Sequence, residues 1–339
     1  MKIGIVTFHF AHNYGALLQC YALKMFLQQK GFDVSVIDYA PDYHRSVYPA
    51  TNSVFEKFIC ENIMPKPYGI DDKYDIIIYG SDTVWHPFDF STFKGFDTAY
   101  FGKVFESGKN IAFSASANMK AYRQKDLLDL PALLQNFDAI AVRESLLKDF
   151  LQPYYSNPIH HTCDPTLLLD TQTWSSLCAQ SLQLDKPYVF VYNQQFASST
   201  MYDIIDTFMR NNGSLLPVYL IDLHGNSYLR ESCGRIIKKN ISPFDFVSLI
   251  KNAEYVFVSS FHGCSFSAIF AKQFNVMYKH SGERIDSFLN KIGLHERLVT
   301  HSNFINFRNN IEWDKPAFLL QQHINDSKNW LLNQLEVQS

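Results

Sequence analysis

A single histidine follows a short apolar run in the second half of the chain. Residues 255–258 (YVFV) have the composition of a strand buried on both faces, and residues 264–271 carry apolar side chains at helical spacing. A strand that turns directly into a helix ends at the edge where open α/β sheets bind ligands. His262 occupies this turn and could transfer protons at neutral pH, and Gly263 would let a ligand approach the backbone. Alternatively, His262 begins the helix without a chemical role.

A second polar turn follows the first predicted strand. Residues 2–7 form an apolar run, residues 8–15 a polar loop and residues 16–29 an amphipathic helix. A dinucleotide-binding fingerprint needs three glycines here, whereas the loop has Gly15 alone, which argues against NAD. Asn13 and Tyr14 would lie at a helix N-terminus, a position suited to an anionic or hydroxyl-rich ligand. Alternatively, Asn13 only caps the helix and Tyr14 packs in the core.

Polar residues also follow the apolar run at residues 75–79 (DIIIY). Asp82 could orient a sugar hydroxyl or act as a base, and Trp85 could stack on the face of a pyranose. The alternatives are capping by Asp82 and core packing by Trp85. The loop at residues 86–102 is dense in aromatic rings, which favours a lid or a binding rim.

An arginine follows a further buried strand, which we predict at residues 139–142. Arg143 would face the same edge of the sheet, where its planar fork could hold a carboxylate or a phosphate. The alternative is a local ion pair with Glu144 or Asp149.

The predicted strands and helices fall into two β/α series. This pattern predicts an α/β fold with two Rossmann-like domains. Residues 181–187 are polar and end in proline, and we interpret them as the linker. The predicted domains are therefore residues 1–182 and residues 183–316, followed by a C-terminal helix within residues 317–339.

Length and composition limit the class of protein. The chain has 339 residues, 47% of them hydrophobic, which is enough for two large cores. A formal net charge of −3 gives no field that favours nucleic acid. Six scattered cysteines form neither a metal-ligand pair nor a disulfide framework, so we expect reduced thiols and no metal site. We recognise no signal peptide and no run long enough to span a membrane, and we expect a soluble, cytoplasmic protein.

The sequence resembles the polysaccharide pyruvyl transferase family over nearly the whole chain. The resemblance lies in short blocks in the family's order and spacing, each weak by itself: NYGALLQ at 13–19, YAL at 21–23, IDY at 37–39, GSD at 80–82, VW at 84–85, VRE at 142–144, DPTL at 164–167, SFHG at 260–263, RIDS at 284–287 and GL at 293–294. The family is similar in fold to GT-B glycosyltransferases. The resemblance implies two Rossmann-like domains facing across a cleft, with the terminal helix packing back on the first domain.

The activity that the resemblance implies is transfer of pyruvate from phosphoenolpyruvate to two hydroxyls of a sugar, as a cyclic ketal. The sugar would belong to a cell-surface glycan, such as a capsule or exopolysaccharide, or to its precursor. Phosphoenolpyruvate is then a co-substrate, and no other cofactor is implied. His262 matches the family's histidine as the acid/base, and Arg143 matches a donor-binding arginine. Asp82 is the candidate base for the acceptor hydroxyl.

The remaining candidate contacts divide between the two predicted domains. The donor side, residues 183–316, would contribute Ser260, Gly263 and Arg284. The acceptor side, residues 1–182, would contribute Asn13, Tyr14, Gly15 and Trp85. We expect Asn13, Asp82, Arg143 and His262 to point into one cleft.

The chain departs from the family pattern at Ser260. Some members carry an arginine two residues before the histidine, in Arg-Leu-His, whereas this chain has serine. The departure removes one expected anion clamp. Either Arg284 or another cation supplies it, or the donor is not phosphoenolpyruvate.

Two other functions are open on the sequence. One is a GT-B glycosyltransferase that uses a nucleotide-sugar. The other is a catalytically silent glycan-binding protein that would hold sugar through Trp85 and the aromatic loop. The sequence leaves open the acceptor sugar, whether it is lipid-linked, any peripheral contact with a membrane, and the oligomeric state.

Overall fold

The computed structural model describes residues 1–45, 53–69, 72–184, 187–194, 198–211, 216–222, 235–236, 241–277, 283–299 and 310–336. The chain divides into two compact units, Met1–Leu169 with Gln322–Ser339, and Asp170–Gln321. The sequence placed this boundary at the linker 181–187, of which residues 185–186 lie outside the described residues. The structure instead assigns the helix at Thr171–Leu177 to the second unit.

The first unit is a Rossmann-like α/β unit. Its strands are β1 (Lys2–Val6), β2 (Asp33–Val36), β3 (Tyr74–Tyr79), β4 (Phe88–Asp89), β5 (Lys94–Gly95), β6 (Ser107–Ala115), β7 (Ala139–Val142) and β8 (Ile159–His161). Its helices are α1 (Tyr14–Gln29), α2 (Asp42–Arg45), α3 (Ser53–Phe58), α4 (Gln124–Leu134) and α5 (Ser145–Leu151). Six strands form a parallel sheet in the order β2-β1-β3-β6-β7-β8, and β4 and β5 form an antiparallel hairpin.

The second unit repeats the architecture. It begins with α6 (Thr171–Leu177) and contains β9 (Val189–Asn193), α7 (Ser198–Asn211), β10 (Val218–Asp222), β11 (Arg235–Ile236), α8 (Pro243–Asn252), β12 (Tyr255–Val258), α9 (Phe261–Ile269), β13 (Gln273–Met277), α10 (Glu283–Ile292) and β14 (Leu298–Val299). Its described strands form a parallel sheet in the order β11-β10-β9-β12-β13-β14. Two Rossmann-like units were predicted from the two β/α series, and both are present.

Local sequence signals account for the helices that flank the site. Asn13 is the N-cap of α1, and its side chain accepts hydrogen bonds from the backbone of Gly15 and Ala16. Gly31, with φ +85°, takes the left-handed conformation that ends this helix. Ser260 caps α9 in the same way, accepting from the backbone N–H of Gly263 over 3.0 Å. Ser260 thereby places the start of α9 directly after β12, whereas α1 begins after the loop that follows β1.

The C-terminal helix α11 (Asp314–Leu335) has its last part in the first unit. Ser327 Oγ accepts from the backbone N–H of Cys163 over 2.8 Å. The ring of Trp330 stacks on Phe113 with centroids 6.2 Å apart. Apolar positions at helical spacing therefore pack this end of the helix on the core of the first unit.

Candidate active site

The candidate site of the first unit lies where its strand order reverses. β1 lies between β2 and β3, so the connections leave β1 and β3 in opposite directions and open a crevice beyond their carboxyl ends. Thr7 follows β1, and its hydroxyl donates to the carbonyl of Ser81, which follows β3, over 2.9 Å. The side-chain amide of Gln19, on α1, donates to the Thr7 hydroxyl over 2.9 Å. These bonds join both strand ends to the helix.

Arg143 lies at this edge, surrounded by carboxylates. Its Nη1 donates to Asp164 Oδ2 over 2.7 Å, and its Nε donates to Glu144 Oε1 over 3.2 Å. Its Nη2 forms an ion pair with Asp82 Oδ1 at 3.8 Å. The structure therefore brings Asp82 and Arg143 together, as the sequence predicted, and also contains the local ion pair with Glu144 that was the alternative.

These four charged groups form a buried network, the acid cluster, defined by Asp82, Arg143, Glu144 and Asp164. The side chain of Asp82 is 13% exposed, whereas those of Arg143, Glu144 and Asp164 are 2%, 1% and 0% exposed. Burial alone would lower the pKa of the Arg143 guanidinium. The charges of Glu144, Asp164 and Asp82 outweigh burial and hold that pKa above its ordinary value.

Hydrogen bonds from neighbouring side chains hold the two deeper carboxylates. Ser116 Oγ donates to Glu144 Oε1 over 2.7 Å. Asp164 Oδ1 accepts from the backbone and the hydroxyl of Thr166 over 3.0 and 2.8 Å, and its Oδ2 accepts from Ser81 Oγ over 3.2 Å. Buried charges are stable only when paired and hydrogen-bonded in this way. The acid cluster is thus a fixed framework with Asp82 at its exposed side.

The backbone around Asp82 is also constrained. Asp82 has φ +68°, a left-handed conformation that is uncommon for residues other than glycine and that is found at functional sites. Its carbonyl accepts from the backbone N–H of Ser116 over 2.9 Å, and its Oδ1 accepts from the N–H of Thr83 over 2.8 Å. Gly80, with φ +112°, has no room for a side chain, because a Cβ would lie 2.5 Å from the carbonyl oxygen of Phe113. The turn therefore fixes where the carboxylate of Asp82 lies.

The predicted contact residues of the first loop are less exposed than the sequence suggested. Tyr14 is 1% exposed and packs its ring 5.0 Å from Phe55, and Gly15 is also buried. The prediction that Tyr14 contacts a ligand is wrong for this structure, and core packing, the alternative, is what it shows. Asn13 is partly exposed, but its side-chain oxygen caps α1.

Trp85 requires a second correction. Its side chain is 0% exposed, so no face of the indole is accessible to a pyranose. Its Nε1 donates to the carbonyl of Tyr100 over 3.0 Å, and its ring stacks on Phe101 with centroids 5.4 Å apart. Several rings of the predicted rim, 86–102, are core residues, since apolar side chains in an ordered loop are buried where they can be.

The second unit carries its candidate residues at its own switch point. Counted in chain order, its described strands lie in the order 3-2-1-4-5-6, which places the ligand crevice between β9 and β12. Ser259, directly after β12, donates its backbone N–H to Tyr192 over 3.0 Å, and its hydroxyl accepts from the N–H of Gln194 over 2.7 Å. His262 is the second residue of α9 and is partly exposed. The predicted strand-to-helix position of His262 is therefore observed.

Gly263 has a reason for being glycine other than the one predicted. A Cβ on Gly263 would lie 2.7 Å from Val258 Cγ1 and 2.9 Å from Ser260 Oγ. Both neighbours are buried. The close approach at Gly263 is thus made by the strand end and the cap, which lets α9 start immediately after β12.

Arg284 lies on the second residue of α10. Residues 284 and 288 share one face of this helix, since side chains four apart are neighbours. The Phe288 ring contacts Phe261, the first residue of α9, with centroids 5.6 Å apart. Through Phe288, α10 therefore packs on the first residue of α9.

Three functional candidates were missed from the sequence. Glu144 was considered only as an ion-pair partner of Arg143, and Asp164 only as part of the DPTL block. Asp164 follows β8 much as Asp82 follows β3, and this repeated pattern could have identified it. His44, on α2, had no such signal. Its ring lies 4.9 Å from that of Phe8, and burial lowers its pKa while the charge of Asp82 acts to raise it.

Comparison with known structures defines the class of fold. A UDP-GlcNAc 2-epimerase from Neisseria meningitidis, bound to UDP-GlcNAc, matches with a TM-score of 0.50 at 12% identity, covering 98% of this chain and 100% of that one. A Listeria monocytogenes protein assigned as a UDP-N-acetylglucosamine 2-epimerase matches with a TM-score of 0.52 at 13% identity, covering 96% and 90%. At such identities the likeness concerns the fold alone, which is GT-B-like α/β.

Residues 13–281 match the family model of polysaccharide pyruvyl transferases, and the chain belongs to that family. The matched range includes α1, the four residues of the acid cluster and the turn between β12 and α9 that carries His262. No curated protein matches the sequence.

Among the described residues, no helix is long and apolar enough to cross a membrane. In the same part of the chain, no group of three or more His, Cys, Asp or Glu side chains could hold a metal ion.

Proposed function

We propose that this chain transfers the pyruvyl group of phosphoenolpyruvate to two hydroxyls of one sugar, forming a cyclic ketal. A proton adds to the methylene carbon of the donor, which becomes a methyl group, and one sugar oxygen bonds to the central carbon. The bond from that carbon to the phosphate oxygen then breaks, and the second sugar oxygen takes its place. Of the two hydroxyl protons, one replaces the proton used on the methyl group and the other leaves with phosphate.

The second unit is the proposed donor side. His262 protonates the methylene carbon, since an imidazole can hold or release a proton at neutral pH. The carboxylate and phosphate of the donor are held by Arg284 and by the N–H groups at the start of α9, where the helix dipole favours negative charge. Ser260 contributes its hydroxyl at the same turn. Arg284 thereby supplies the cation that the family's Arg-Leu-His places two residues before the histidine.

The first unit is the proposed acceptor side. Asp82 accepts the proton of the attacking hydroxyl, because it is the carboxylate of the acid cluster with exposed surface. A carboxylate can also orient two adjacent hydroxyls through its two oxygens. Asn13 lies at the neighbouring strand exit and can contact the sugar through its amide nitrogen.

One structural observation carries the proposal beyond the family match. The first unit presents a carboxylate, Asp82, at its switch point, and the second presents a histidine and the start of a helix at its own. Ketal formation needs both kinds of group, a base for a hydroxyl and an acid with an anion site for the donor. A cytoplasmic location, where phosphoenolpyruvate is made, accords with the five described cysteines, none of which forms a disulfide.

The donor can be tested by isothermal titration of the purified protein with phosphoenolpyruvate and, separately, with several nucleotide-sugars. Phosphate release from phosphoenolpyruvate is then followed with p-nitrophenyl hexopyranosides whose C4 and C6 hydroxyls are free. We expect phosphoenolpyruvate to bind and phosphate to be released with at least one pyranoside. Binding of a nucleotide-sugar alone would favour the glycosyltransferase alternative. Sugar binding without turnover of any donor would favour a glycan-binding protein.

His262→Ala tests the assignment of the acid. We expect kcat for phosphate release to fall by about 10²–10⁴-fold, the usual contribution of a general acid or base. The Kd for phosphoenolpyruvate should change much less than kcat, because the proposed contacts that hold the donor's anionic groups are Arg284 and the N–H groups at the start of α9. His295→Ala is the matched control, since His295 is a 56% exposed histidine of the same unit. Near-normal turnover by His262→Ala would mean that this histidine only begins its helix.

A further inference from the structure

Every nitrogen of the Arg143 guanidinium faces a carboxylate. Nη1 contacts Asp164 at 2.7 Å, Nε contacts Glu144 at 3.2 Å and Nη2 lies 3.8 Å from Asp82. Two nitrogens of the planar fork that could hold the carboxylate or phosphate of a donor are therefore hydrogen-bonded within the protein, and the third lies within ion-pair distance of Asp82. The side chain is also 2% exposed, so a donor would have to displace Asp82 to reach it.

The net charge of the acid cluster also argues against binding of an anionic donor by Arg143. With its three carboxylates ionised, the acid cluster carries three negative charges against the single positive charge of Arg143. An incoming phosphoenolpyruvate would therefore meet an excess of negative charge at this edge, and like charges at close range repel. A neutral sugar, whose hydroxyls donate hydrogen bonds to carboxylates, suits this surface better.

The acid cluster extends from two fully buried carboxylates, Glu144 and Asp164, to the partly exposed Asp82. Asp164 and Glu144 hold Arg143 from the buried side and are themselves held by Thr166, Ser81 and Ser116. The backbone of Arg143 donates to the carbonyl of Ala115 over 3.1 Å, and that of Ser116 donates to the carbonyl of Asp82. Arg143 is thus anchored at neighbouring strand ends and pairs with Asp82, the one carboxylate of the acid cluster that is partly exposed.

We propose that Arg143 is a positioning residue that acts through Asp82, and that it does not clamp the donor. This inference rests on the proposed function and replaces the donor-binding role that the family resemblance implied for Arg143. The guanidinium holds the carboxylate of Asp82 in the orientation that accepts the hydroxyl proton of the sugar. Asp164 and Glu144 serve the same purpose one step further from the substrate.

Arg143→Lys, Asp82→Asn and the double variant test the proposal. The readouts are the Kd for phosphoenolpyruvate by titration calorimetry without acceptor, and kcat for phosphate release with the pyranoside that the wild-type protein uses best. For Arg143→Lys we expect kcat to fall by about 10²-fold, the cost of misplacing a reacting group by about 1 Å. Its Kd should stay within about twofold of the wild-type value. The double variant should be no slower than Asp82→Asn alone, because one residue acts through the other.

Asp164→Asn keeps the test open if Arg143→Lys does not fold. Its amide nitrogen can replace Oδ2, the atom to which Arg143 Nη1 donates, so the guanidinium shifts while Oδ1 still accepts from Thr166. We expect the same pattern, a lower kcat with an unchanged Kd. Arg123→Lys is the matched control, since Arg123 pairs with Asp126 at 3.0 Å at the start of α4, outside the acid cluster.

Two results would overturn the proposal. One is Kd weakened by about 10–150-fold in Arg143→Lys or Asp164→Asn, as loss of a charged hydrogen bond to the donor predicts. The other is a double variant slower by the product of the two single effects, because independent sites add in free energy. Absence of phosphoenolpyruvate binding by the wild-type protein would instead refute the proposed function, and is distinguished from both because it appears before any substitution is made.

Discussion

Gly263→Ala should destabilise the second unit, because the added methyl group has no room. Its Cβ would lie 2.7 Å from Val258 Cγ1, and 2.9 Å from both Val258 Cβ and Ser260 Oγ. Val258 is a fully buried strand residue and cannot swing away. Ser260 Oγ accepts from the backbone N–H of Gly263, so displacing it breaks the cap of α9.

The expected magnitude follows from three contributions. Overpacking a buried site costs about 1–3 kcal/mol, and loss of a serine N-cap costs about 1 kcal/mol. Replacing a helical glycine by alanine returns about 1 kcal/mol. We therefore expect the free energy of unfolding of this unit to fall by about 1–3 kcal/mol. For a unit of this size, each kcal/mol lowers Tm by about 2–4 °C.

Thermal and urea denaturation of the full chain, followed by circular dichroism, measure this effect. Gly69→Ala is the matched control, because its Cβ would come no closer than 3.4 Å to Asp72 and the site is exposed. An unchanged Tm for Gly263→Ala would refute the packing argument. If stability is kept while the affinity for phosphoenolpyruvate falls, then Gly263 serves close approach of the donor, as the sequence first suggested.

Three further outcomes are expected. Trp85→Phe should lower the free energy of unfolding by about 1–3 kcal/mol, because it leaves the buried carbonyl of Tyr100 without its indole donor. The affinity for a pyranoside should stay unchanged. Weaker sugar binding with normal stability would contradict the buried position of Trp85. Burial raises the pKa of Cys20 and Cys163 to about 12, so few of these thiols are ionised at pH 8. Cys60 is exposed, and Cys60→Ser should therefore remove one equivalent of thiol that reacts rapidly with a disulfide reagent in the folded protein. An unchanged number of rapidly reacting thiols would contradict this prediction. Phosphate release should persist after treatment with a chelator, as the cysteine and histidine spacing of the sequence predicts, and loss of activity that added metal restores would contradict this prediction.

The sequence by itself determined the local elements and the ends at which chemistry could occur. Apolar runs such as residues 75–79 and 255–258 form strands because they bury both faces, and Asn13 and Ser260 cap helices because their oxygens accept orphan N–H groups. Both effects act over a few residues. For that reason the positions of Asp82, Arg143 and His262 in the turns that follow strands could be predicted without a structure.

Tertiary structure alone decided what those residues meet. Asp164 reaches Arg143 across 21 residues because the parallel sheet places β7 beside β8, and Asp82 joins them because β3, β6 and β7 end side by side. Likewise, nothing in the sequence near Trp85 shows that Phe101 and Tyr100 return to bury it. Which strands become neighbours depends on the packing of the whole unit. Whether a side chain is buried depends on the residues that pack around it, and no local sequence pattern encodes those contacts.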